Sequence, residues 1–238
     1  FLHKMINYFV YLSVLACVLI ALVYWRSLKY GLSVQQNLDF GMTILISGFV
    51  GARLFHVFYE EPLFYRQHPS YIFYFWYGGF VFYGGAIAGL IAGYIFCKKQ
   101  KISYIEKLNF FTPIFALGYS LGRIACFIAG CCYGKYCDLL ICRLSPETRH
   151  PTQLYAMALE FLIFIFLSSW KPNTFVRKNI FYFYLTLHPL GRLVVEHYRD
   201  DFRGAQVLGT SISSVISWMI FSFGLAMLFT RSSTNLKK

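Results

Sequence analysis

The stretch YFVYLSVLACVLIALVYW at 8–25 contains no charged side chain, no proline and no glycine. A bilayer hydrocarbon core of about 30 Å takes about 20 apolar residues as a helix, so this run is long enough to cross one. Backbone amides in hydrocarbon must be satisfied within their own segment, which makes the run a helix rather than a lone strand. Six more apolar runs follow, at 40–59, 71–97, 105–129, 153–170, 181–198 and 207–230. Together they predict an all-α polytopic membrane protein with about seven transmembrane helices. The alternating pattern of a membrane barrel is absent. No small-residue cleavage site follows the first run, so it is read as a retained span. The chain begins at Phe1, and an initiating residue is expected upstream.

Composition supports the same class. The 238 residues are 58% hydrophobic, 21% aromatic and 13% charged, against about 25% charged in an ordinary soluble domain. Too few polar residues remain to coat a soluble core. The expectation is one integral membrane domain over 1–238, with a short external cap at 130–152.

The excess of 22 Lys+Arg over 10 Asp+Glu raises nucleic acid as a partner, so the location of the charge decides. Arg26, Lys29, Lys98, Lys99, Lys101, Lys107, Lys171, Arg177, Lys178, Arg231, Lys237 and Lys238 fall in one set of connections, beside only Asp39 and Glu106. The opposite set is balanced by acids. By the positive-inside rule the first set is cytoplasmic, which places the N-terminus outside and the C-terminus inside. The charge is topological, and nucleic-acid binding is rejected.

Charges inside apolar runs are costly and therefore informative. Arg53, Arg123, Glu160, Arg192 and Glu196 are of this kind. Arg192, Glu196 and Arg199 share one helix face at i, i+4 and i+7. An Arg–Glu pair neutralising itself is the bland reading. Several guanidiniums converging near the outer leaflet would instead bind a phospholipid phosphate, which the planar Arg fork engages bidentately. His56, His150 and His188 offer bases, though a lone His is more often structural. Gly85, Gly89 and Gly93 give the third run a smooth face for helix approach, and Gly118 and Gly122 do so in the fourth.

Cys126, Cys131, Cys132, Cys137 and Cys142 cluster. In an oxidising compartment Cys137 and Cys142 are plausible disulfide partners. A metal site matches no strong spacing pattern, and a reactive thiol near Arg123 is a further option.

Five stretches, GARL at 51–54, WYGGFVFYGGAIAG at 76–89, GRIACFIAG at 122–130, RHPTQLY at 149–155 and GRLVVEHYRD at 191–200, fall in the order of one family. In them the chain resembles the prolipoprotein diacylglyceryl transferases. The resemblance implies helices around a central lipid cavity in a bacterial cytoplasmic (inner) membrane. There the diacylglyceryl group of phosphatidylglycerol passes to the lipobox cysteine thiol of a preprolipoprotein, and glycerol phosphate leaves. No cofactor and no metal are expected, and a monomer is expected. Arg123 and Arg192 match the family's essential arginines, with Glu196 and Arg199 in support and Tyr8 matching a tyrosine of the first span. Tyr83 stands where the family has His, Cys126 where it has Asn, and Cys131 where it has Glu. The expected catalytic set is Arg123, Arg192, Glu196 and Tyr83. Phospholipid binding falls to Arg123, Arg192, Arg199, Tyr8 and Arg53. The acceptor is expected near Cys126, Cys131, His150, Gln153 and Tyr155. A paralogue with another acceptor or a cysteine-based chemistry, and a phospholipid-binding protein without catalysis, are the alternatives.

Overall fold

The structure, a computed structural model, describes residues 2–170, 174–200, 206–207 and 210–236, and the side chains of 10–76, 78–145, 147–170, 174–200 and 210–233. In chain order the helices are α1 (Leu2–Lys29), α2 (Val34–Phe55), α3 (Pro62–Gln67), α4 (Phe82–Gln100), α5 (Tyr104–Ala129), α6 (Thr152–Ser168), α7 (Phe175–Lys178), α8 (Ile180–Tyr198) and α9 (Ile212–Leu236). Among the described residues, four segments, Val10–Lys29, Val34–Glu60, Tyr104–Ala129 and Ile212–Ser233, are long and apolar enough to cross a bilayer. Large apolar side chains on them stay outward, among them Val14, Leu45 and Phe229. Water would penalise such a surface and lipid accepts it. The chain is an all-α membrane protein.

It divides into two compact units, Leu22–Tyr104 and a second formed by Phe1–Ala21 with Ile105–Lys238. In the first, α2 and α4 pack almost backbone to backbone. A Cβ on Gly51 would lie 2.8 Å from the Gly84 carbonyl oxygen, and one on Gly84 would lie 2.2 Å from the Cβ of Phe55. Gly85 meets the Gly48 carbonyl in the same seam, while Gly89 and Gly93 face Ile44 and Phe40 less tightly.

The run at 71–97 is not one helix. Two 3-10 turns, Pro69–Phe73 and Phe75–Tyr77, precede α4. The physical reason is Arg53, whose guanidinium takes the carbonyls that a helix would use internally. Its Nε donates to Ile72 O at 3.2 Å, one terminal nitrogen to Gly78 O and to Gly79 O at 3.1 Å, and the other to Tyr71 O at 2.7 Å and Tyr74 O at 3.4 Å. Gly78 and Gly79 then turn the chain with φ of 87° and 78°.

In the second unit, polar groups tie helices that apolar packing alone would leave free to slide. Ser120 donates to Met157 O at 2.9 Å, and Asn109 bridges to Lys178 O and the Phe181 amide. Gly224 lets α9 approach α8, since a Cβ there would meet Thr186 Oγ1 at 2.8 Å. The run at 207–230 starts its helix late: β1 (Gln206–Val207) pairs antiparallel with β2 (Thr210–Ser211), and α9 follows. Ser211 Oγ accepts from the Ser214 amide at 3.2 Å, a helix cap.

Candidate active site

Within the second unit α5, α6 and α8 border a cleft of about 340 Å³, counted to its open mouth. Its walls include Arg123 from α5, Gln153 and Glu160 from α6, Arg192 from α8 and Arg199 just past the end of α8. Three arginines, Arg123, Arg192 and Arg199, thus line one hollow.

Each arginine is oriented differently. Arg123 lies over the ring of Tyr119, one turn earlier, with its carbon 4.5 Å from the ring centroid, and hydrogen bonds the same hydroxyl. Arg192 pairs with Glu196 at 3.0 Å and reaches Ser213 at 3.3 Å. Glu196 in turn accepts from Ser211 at 2.6 Å. The bland Arg–Glu pair is therefore present, but it is held at the cleft wall by hydroxyls of the α9 start. Arg199 is positioned by its backbone, which bridges to Gly134 of the cap.

A second ionisable pair closes the floor. Glu160 is 3% exposed and hydrogen bonds His188 Nδ1, and both line the cleft. The His188 ring is stacked on Tyr184 at 5.1 Å and meets Tyr119 edge-on at 4.9 Å. Here the mid-span histidine and the buried glutamate are hydrogen-bond partners across α8 and α6.

The cap is stitched by Cys137–Cys142, a disulfide with Cα atoms 6.1 Å apart, which is the pairing read from the sequence. Arg149 spans it, contacting Glu147 at 3.1 Å, Asp200 at 3.3 Å and the face of Tyr136 at 3.8 Å. His150 hydrogen bonds Tyr155 at 3.1 Å and packs on Tyr198. Neither His150 nor Tyr155 borders the cleft; both brace the cap. Gln153 does border it, and it donates to Cys131 O, while Thr152 donates to Cys132 O at 2.6 Å. Cys126, Cys131 and Cys132 bring their sulfurs together beside the cleft, and Cys132 forms part of its wall. Hydrogen bonds from Cys126 and Cys131 hold the Cys132 thiol well below its ordinary range, helped by Arg199 and Arg123, while the Cys131 thiol, bonded to its neighbours, is pushed up.

Tyr83 and Arg53 belong to the other unit. Tyr83 stands half-buried on the first turn of α4. Arg53 is 8% exposed, and its five N–H groups all go to the backbone carbonyls named above. In this arrangement the Arg53 guanidinium holds backbone, a scaffold role. The side chain of Tyr8, on α1, lies outside the described residues.

The family model for prolipoprotein diacylglyceryl transferase matches residues 4–230. The chain belongs to that family. A phosphatidylglycerol–prolipoprotein diacylglyceryl transferase of Clostridium tetani (strain Massachusetts / E88) is 31% identical over 228 residues, 90% of this chain and 87% of that protein. Relatives of the same name in Nitrosomonas europaea and Desulfotalea psychrophila are 32% and 33% identical, covering 86% and 83% of this chain and 77% and 78% of their own. For a member of this transferase family, what sequence reasoning missed is the support around the arginines, Tyr119, Ser211 and Ser213, and Thr152 behind the Cys132 carbonyl. The serine cluster at 211–214 can signal a helix start, but nothing in it points to a carboxylate on another helix.

Proposed function

We propose that this protein transfers the diacylglyceryl group of phosphatidylglycerol to a cysteine thiol of a prolipoprotein. The observation that carries this is the meeting of Arg123, Arg192 and Arg199 on one cleft inside a membrane protein. A phosphate held there faces donors already desolvated and oriented. When the carbon–oxygen bond to phosphate breaks, negative charge grows on the departing glycerol phosphate. Preorganised guanidiniums stabilise that charge more than they stabilise the bound lipid, which is what lowers the barrier. Glu196, pinned by Ser211, keeps the Arg192 fork from swinging away.

Cys126, Cys131, Gln153 and the cap residues His150 and Tyr155 mark the acceptor side, with Gln153 fixing the 131–132 backbone. For the catalytic role of Tyr83 and the lipid contact of Tyr8 the support is motif position alone. The chain takes seven spans in the bacterial cytoplasmic membrane, N-terminus outside, with the basic connections inside.

Complementation tests the proposal. In bacteria depleted of their own prolipoprotein transferase, the parent protein restores growth and lipoprotein modification, while Arg123→Ala and Arg192→Ala do not. Rescue by the double arginine variant at equal membrane abundance would refute it.

A further inference from the structure

Three of the five unbridged cysteines converge at the end of α5. Cys126 stands on the last turn of that helix, with Cys131 and Cys132 in the segment after it, and all three sulfurs lie within 4.8 Å of one another. Thiolates at about 2.3 Å from one tetrahedral zinc ion sit about 3.8 Å apart, so the three need to close by about 1 Å or less to share an ion. The backbone behind them is fixed. The buried Thr152 and Gln153 donate to the Cys132 and Cys131 carbonyls, and the Cys131 amide donates to Cys126 O at 3.2 Å. No fourth His, Cys, Asp or Glu joins the group among the described residues. Cys137 and Cys142, the neighbouring sulfurs, are spent on their disulfide.

Soft thiolate ligands select zinc-like or copper(I)-like ions, and three protein ligands with one open position distinguish catalytic from structural zinc sites. We propose that Cys126, Cys131 and Cys132 bind one zinc-class cation whose open position takes the acceptor thiol of the transfer. This rests on the function proposed above. Because Cys132 also lines the arginine cleft, such an ion sits at the edge of the hollow that holds the phosphate. Coordination removes the proton from the acceptor thiol, and the proton passes to water. The bound sulfur attacks the diacylglyceryl carbon that carries the phosphate ester. The sulfur–carbon bond forms as the carbon–oxygen bond breaks, and the bonding electrons leave with glycerol phosphate toward the arginines. The ion is unchanged. Three thiolates with a divalent cation carry one net negative charge, which Arg123 and Arg199 on the same cleft offset.

The test uses the full chain purified in detergent without chelator, with zinc and copper measured by plasma mass spectrometry. About one zinc per chain is expected, falling below about a tenth in Cys126→Ser and Cys132→Ser and unchanged in Cys17→Ser or Cys97→Ser. Circular dichroism and an intact Cys137–Cys142 bond check that the variants fold. Cobalt(II) chloride added to stripped protein should give a near-ultraviolet thiolate charge-transfer band, which each serine variant weakens. No zinc together with three thiols that react equally with and without chelator would overturn the site. So would copper in place of zinc, or a disulfide within the trio. Transfer at the parent's rate by stripped protein would overturn the ion's role and leave the transferase reading intact. Zinc bound at one per chain with no thioether product would support the site and overturn that reading instead.

Discussion

On the proposed mechanism Arg123 and Arg192 do comparable work, held by different supports. Removing one preorganised donor from a site where charge develops costs about 10²- to 10³-fold in rate, so Arg123→Ala and Arg192→Ala are each expected to lose that much initial velocity. Glu196→Gln leaves the Arg192 fork loosely held and should cost about 10-fold or more, with Ser211→Ala milder still, both measured as product formed at saturating lipid. Arg53 behaves oppositely. Replacing it with Met removes a donor from five part-buried carbonyls, of which only Tyr71 O keeps a backbone donor among the described residues, and a buried acceptor left unmet costs about 1–3 kcal/mol. Arg53→Met should therefore lower the thermal midpoint in detergent markedly while the surviving folded fraction binds phospholipid as the parent does. The cleft arginines were legible because an ionised group in an apolar run needs a reason. Arg53 carried the same signal, and only its partners 18–26 residues away separate it from them. The hydroxyls of Ser211 and Ser213 were not legible as site residues, since nothing in their own neighbourhood points to a carboxylate on another helix.

Between elements, the seam of α2 and α4 is the most exacting contact. A Cβ on Gly84 would meet Phe55 and the Gly51 carbonyl far inside van der Waals distance, so Gly84→Ala must push the helices apart. Overpacking of this sort costs about 1–3 kcal/mol. Gly89→Ala, where the nearest atom is an Ile44 methyl at 3.3 Å, should cost clearly less, and unfolding midpoints in one detergent compare the two directly. The glycine ladder was readable from its spacing, but Gly51 and Gly84, the tightest pair, lie outside the four-residue repeat. The cap offers a second test. Removing the Cys137–Cys142 bridge frees a short loop, worth about 2 kcal/mol by loop entropy, and should leave α5, α6 and α8 folded. Limited proteolysis confined to 130–152 is the expected result. Helix runs were recovered from apolar length except at the start of the run at 207–230, where β1 and β2 precede α9, and at 71–81, where the pattern continues but the carbonyls belong to Arg53. Hydropathy has no access to that competition.

For the whole molecule, the distribution of Lys and Arg makes a topological prediction independent of the chemistry. A fluorescent protein fused after Lys238 should be bright and alkaline phosphatase fused there inactive, since only the first matures in the cytoplasm. The reverse pattern would invert the assigned orientation without touching the cleft. The transferase assignment itself is decided by reconstitution. The purified chain in phosphatidylglycerol vesicles, given a peptide with a single cysteine in a prolipoprotein context, should yield peptide heavier by one diacylglyceryl group in thioether linkage, with one glycerol phosphate released per product. Arg123→Ala and Arg192→Ala, equally folded, should yield almost none. Product from those variants at the parent's rate, or an unmodified peptide with the parent protein while phospholipid stays bound, would contradict the claim that three guanidiniums around one cleft drive the transfer.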